Sequence, residues 1–142
     1  MIYGQDREGL RRFYCTSFRK RRAGEPMEPL EAQVSDVILE HPEYHDFFVD
    51  EETALAAEFG PEQGMGNPFL HLGMHLAIRE QVVTNRPAGI TALYRQIVST
   101  RGAHEAEHAV ITCLGEMLWR AGRDGEPPDE TAYLECIKRI AG

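Results

Sequence analysis

Cysteine is scarce in this chain, with three in 142 residues, tryptophan occurs once, and no uninterrupted apolar run approaches membrane-spanning length. Cys15, Cys113 and Cys136 are odd in number, far apart and in no CxxC pair, which argues for a reducing compartment and against a disulfide framework. The start, MIYGQDREGL, lacks the apolar core of a secretory signal, so the expected setting is cytoplasmic, with no membrane. Runs alternating polar and apolar with period two are also missing, which removes the usual sign of a half-buried strand. Lysine and arginine are absent from residues 25–62, where twelve side chains are acidic. No GxSxG turn, no P-loop Lys-Ser/Thr after GPEQGMGNP and no HExxH appear, so no catalytic group is nominated.

What is present suits one compact domain. Apolar residues make up 42% of the chain and charged residues 27%, enough to bury a core and too hydrophobic for disorder. A net charge of −8 argues against a nucleic-acid coat. Residues 1–24 nevertheless hold seven basic and two acidic side chains, and Arg19, Lys20, Arg21 and Arg22 form a run. That run has two readings: attraction to the acidic stretch of the same fold, or contact with RNA, DNA or an acidic lipid surface.

Helical spacing covers nearly the whole chain. Residues 5–22 set Leu10, Phe13, Tyr14 and Phe18 near one face, opposite arginines. Residues 28–40 follow, and Pro42 should stop that helix at His41. Short helices are expected at 43–48 and 51–58, before a loop at 59–66. Asn67 and Pro68 then read as a cap and first position of a helix over 68–84, apolar almost all round and therefore expected to be central. Helices at 88–99 and 103–121 and a last one capped by Asp129 complete an all-α, single-domain bundle of about six helices spanning 1–142. On these helices Cys113, Met117 and Trp119 read as packing residues. Oligomeric state is not written in this pattern, with a homodimer as the candidate assembly.

The six histidines carry the chemical signal. All fall in i, i+4 pairs: His41/His45, His71/His75 and His104/His108. Random placement would produce about 0.2 such pairs, so three is an excess. Four residues along a helix put both imidazoles on one face, about a turn apart. Two such helices packed together can offer four imidazoles to one ion, and imidazole suits Zn, Fe, Cu or Ni. His71 and His75 share a sector with Ile78 and Val82, while His104 and His108 align with Ile111 and Gly115. The pair at 41 and 45 ranks last, because Pro42 interrupts its segment. The expected ligands of a transition metal, Zn or Fe, are therefore His71, His75, His104 and His108, with Glu105 or Glu116 as carboxylate donors. The competing reading is a non-catalytic protein-interaction or nucleic-acid-contacting module whose histidines serve only the fold and whose acidic 25–62 stretch or Arg19–Arg22 run meets the partner.

The segments NPFLHLGMHLAIREQ and HAVITCLGEMLWRAG, with HPEYH, NRPAGI and the RRFYC…RAGEP start, resemble a bacterial family designated domain of unknown function 1841. The resemblance spans nearly the full chain and implies a small, stand-alone bacterial cytoplasmic protein. It supplies no role for any histidine.

Overall fold

The computed structural model describes residues 7–59 and 66–142, and all regular structure among them is helical. The elements are α1 (Arg7–Ala23), α2 (Pro29–Leu39), a 3₁₀ turn (Pro42–Tyr44), α3 (His45–Val49), α4 (Glu51–Ala56), α5 (Pro68–Thr84), α6 (Ile90–Arg101), α7 (Ala103–Asp124) and α8 (Glu130–Ala141). Among the described residues there are eight α-helices, against the expected six or so. The two beyond six are the short α3 and α4, near the expected 43–48 and 51–58, where Pro42 and a cap at Asp50 divide the chain into short pieces. Asp50 accepts the Thr53 amide at 3.2 Å and its hydroxyl at 2.7 Å, which starts α4 afresh. Most of the 59–66 loop lies outside the described residues.

The chain divides into two compact units, Met1–Leu76 and Ala77–Gly142. The core of the first unit is aromatic. Tyr14 and Phe18 from α1, Val34, Val37 and Ile38 from α2, Phe48 from α3 and Phe69 and Leu72 from α5 are all buried. Phe48 and Phe69 meet edge-to-face at 5.4 Å, and Tyr14 meets Phe69 at 5.5 Å, the geometry favoured by ring quadrupoles. Asn67 Oδ1 accepts the Phe69 amide at 3.0 Å, so the expected cap of α5 is present.

The inner face of α1 differs from the expected one. Leu10 is 54% exposed, whereas Arg11 is buried. The reason is the C-terminal end of α4, whose last carbonyls lack helical partners. Arg11 Nη1 donates to Ala54 O at 2.9 Å and to Ala57 O at 2.6 Å, while its guanidinium lies 4.8 Å above the Phe69 ring. A planar cation with several donors can do both at once.

The basic run of α1 answers the acidic stretch beside it. Lys20 Nζ bonds both oxygens of Glu31, at 3.1 and 2.9 Å, and Arg21 reaches Asp36 at 2.7 Å and Ser35 Oγ at 2.8 Å. Arg19 pairs with Glu25 at 3.6 Å, and the Arg22 guanidinium sits over Phe18. Glu31 also accepts the Glu28 amide at 2.8 Å, closing the start of α2.

The second unit is built from the C-terminal part of α5 with α6, α7 and α8. Ile78, Ile90, Ile97, Val110, Tyr133 and Ile137 form its dry centre. Arg79 grips the buried Glu107 carboxylate through Nε and Nη2, both at 2.9 Å, and Tyr133 donates to Gln81 Oε1 at 2.6 Å. Asn85 occupies a left-handed turn (φ 54°) and its Oδ1 accepts the amides of Gly89 and Thr91, which leads the chain into α6. Asp129 caps α8 by accepting the Ala132 amide at 3.0 Å.

One cysteine expectation and one tryptophan expectation are overturned here. Cys113 and Cys136 form a disulfide, with their Cα atoms 5.8 Å apart on α7 and α8. A separation of 23 residues hides in the sequence a proximity that packing of the two helices creates. Trp119, expected in the packing, is 63% exposed and covered on one face by Arg123 at 4.8 Å.

Two stability predictions follow from these contacts. Arg11→Ala leaves buried carbonyls without donors and should cost about 2 kcal/mol in urea unfolding, whereas Arg12→Ala on the exposed side should stay within about 0.5 kcal/mol. The Glu28 amide and Lys20 hold the Glu31 carboxyl below its ordinary range. Its contribution is therefore complete above the unfolded glutamate value and fades as pH falls through the lowered folded one. Unfolding followed across acid pH should show a flatter acid limb for Glu31→Gln than for the parent.

Candidate metal centre

The centre begins with the end of α2. An α-helix that meets proline loses an amide donor, so carbonyls near its end need other partners. The His41 amide bonds back to Ile38 O at 3.0 Å in a 3₁₀ closure, which releases Val37 O. The imidazole of His41 takes that carbonyl through Nδ1 at 2.7 Å. His45, one turn later, donates from Nε2 to Ile38 O at 2.8 Å. Two histidines of HPEYH thus close the helix that Pro42 interrupts.

These two bonds separate the roles of the pair. A carbonyl only accepts, so in neutral imidazole His41 carries its proton on Nδ1 and keeps a lone pair on Nε2. His45 is protonated on Nε2, and its ring packs 4.9 Å from Phe18, which makes it a packing and capping residue. His41 Nε2 instead reaches His75 Nε2 at 3.1 Å. His75 Nε2 is in turn 3.2 Å from His71 Nε2, one turn earlier on α5.

His41, His71 and His75 are all buried, at 3%, 8% and 1% exposure, and their ligand nitrogens lie within 4.8 Å of one another. The rings meet at steep angles, 64° for His41 with His75 and 82° for His71 with His75, so their edges converge and their faces do not stack. Zn–N bonds of about 2.0–2.1 Å in a tetrahedron separate neighbouring nitrogens by about 3.3 Å. The two observed spacings are within a few tenths of an ångström of that edge. A histidine cluster capable of coordinating a transition-metal ion is therefore present.

Tyr44 completes the wall. Its ring stacks on His41 at 5.9 Å and stands edge-on to His71 at 6.1 Å. Burial, and then the Glu43 carboxylate, push its phenol above the ordinary value, so it stays neutral at physiological pH.

Of the residues singled out by spacing, His71 and His75 meet as expected on one face of α5. His41 joins them although its interrupted segment ranks last in the sequence, and it comes from the turn after α2. The cluster is therefore more than a pair of helix faces. On α7, His104 is exposed and its ring packs against His108 at 4.4 Å, with His108 Nδ1 at 3.1 Å from His104 O. Glu105 is exposed in the first turn of α7, and Glu116 pairs with Arg120 at 3.3 Å. The Glu107 carboxylate, held by Arg79, was not signalled by any motif.

The chain belongs to the family described as Domain of unknown function (DUF1841), matched over residues 6–139. No curated protein and no solved structure matches it.

The two imidazole caps make a spectroscopic prediction. In long-range proton–nitrogen spectra of metal-free protein at neutral pH, His41 should show its proton on Nδ1 and His45 on Nε2. The opposite tautomers would mean that the carbonyls of Val37 and Ile38 do not orient these rings.

Proposed function

We propose that this protein binds one transition-metal ion, Zn or Fe, through Nε2 of His41, His71 and His75. The observation that carries the reading is the convergence of the buried Nε2 atoms of His41 and His71 on Nε2 of His75, at 3.1 and 3.2 Å. Each such contact between nitrogens needs a proton on one side, whereas a metal ion uses every lone pair. The donor set is neutral and of borderline softness, which favours these metals over Mg or Ca.

Two features support an organised site. His41 is oriented by the Val37 carbonyl, the kind of outer hydrogen bond that metal-bound histidines generally make. His71 and His75 are held on a single helix, so their spacing needs no loop rearrangement. In this reading Glu105 and Glu116 are not ligands.

Elemental analysis of untagged protein, purified without chelator, tests the proposal. Close to one Zn or Fe per chain is expected, falling to a small fraction in His41→Ala and in His71→Ala/His75→Ala. His45→Ala should retain metal while losing stability, and Glu105→Gln and Glu116→Gln should retain both. Metal-free protein that takes up neither Zn nor Fe(II) on titration overturns the reading.

A further inference from the structure

A second chemically distinctive place lies in the C-terminal unit, away from any histidine. A cavity of about 460 Å³ opens between the C-terminal half of α7, the connection through Pro127 and the start of α8, and both cysteines of the Cys113–Cys136 bond belong to its lining. That volume falls in the range of small-molecule sites. The two ends of the disulfide are not equivalent. Cys113 is 1% exposed and, like Val110 and Leu114, is one of the buried residues of α7, whereas Cys136 is half-buried. The charged lining is Arg120 and Arg123 against Glu116, Asp124, Glu126 and Asp129, an acidic surplus. Arg120 is already paired with Glu116 at 3.3 Å, and Arg123 with Asp124 at 2.8 Å, so neither arginine is free to draw in an anion.

We propose that the Cys113–Cys136 bond is a thiol–disulfide exchange site, entered at Cys136 through this cavity by small thiols of neutral or positive charge. The incoming thiolate forms a bond to Cys136 Sγ as the Cys113–Cys136 bond breaks. The electron pair leaves on Cys113, which takes a proton from water. One disulfide is consumed and one is made, so no external oxidant is required. A second thiolate then attacks the outer sulfur of the adduct. It releases the small-molecule disulfide and a Cys136 thiolate, so two thiols are oxidised and the protein cysteines are reduced. The reverse sequence, started by a small disulfide, closes the bond when Cys113 displaces the thiol from Cys136. Attack is directed to the less buried cysteine, and the acidic lining selects against anionic thiols such as glutathione.

Mass spectrometry of the full chain with its disulfide formed provides the test, using cysteamine and glutathione at equal thiolate concentration. Samples are acid-quenched, alkylated after denaturation and mapped by peptide. The expected first product carries cysteamine on Cys136 and an alkyl group on Cys113, while circular dichroism keeps its native helical signal. It should form several-fold faster with cysteamine than with glutathione, and the difference should shrink in high salt. An adduct on Cys113, reaction only in denaturant, or a glutathione rate equal to or above that of cysteamine overturns the proposal. If the purified protein is reduced, cystamine should form an adduct at Cys136 that converts to the Cys113–Cys136 bond, and failure to close also overturns it. Cys113→Ser removes the resolving thiol and should trap the Cys136 adduct. A natively helical Cys113→Ser protein that accumulates none counts against the site.

Discussion

A helix that runs into proline leaves carbonyl groups without their usual amide donors, and in this chain the carbonyls of Val37 and Ile38 take imidazole donors instead. Everything distinctive about the histidine cluster follows from that substitution. The bond to Val37 selects the tautomer of His41, and the tautomer presents Nε2 to His75. The bond to Ile38 holds His45 against Phe18 and keeps it out of the cluster. One break in a helix therefore divides two histidines, four residues apart, into a candidate ligand and a structural cap.

The same economy appears in the charged residues of the first unit. Cations on α1 do not stand as a free basic patch. Lys20 and Arg21 meet carboxylates of α2, and Arg11 is turned inward to finish α4. Exposed ion pairs stabilise little, but Lys20 with Glu31 is mostly shielded and also closes the start of α2 through the Glu28 amide. Helix ends, more than helix faces, are where this unit uses its charge.

Helical periodicity and cap chemistry were legible in the residues themselves. Asn67 before Pro68 and Asp129 before α8 behave as their local chemistry dictates, because a cap bond spans only two or three residues. The pairing of His71 with His75 was legible for the same reason. His41 was harder to see. Spacing arithmetic treats Pro42 as a break and discounts its neighbour, whereas the released carbonyl is what aims the ring. Arg11 was hidden because its partners lie more than forty residues away. The Cys113–Cys136 bond was hidden because cysteine count and spacing do not report how two helices pack.

Closing that bond leaves Cys15 as the one free cysteine of the chain, and its surroundings make it silent. It is 4% exposed, and burial raises its thiol to about 11, so almost none of it is thiolate at neutral pH. The aromatic core around α1 thus contains a native reporter. A thiol-specific reagent reads the opening of the first unit at Cys15, with no label engineered in, while the cysteines of the second unit stay locked together. The first half of the chain can thus be followed by itself with the cysteine it already possesses.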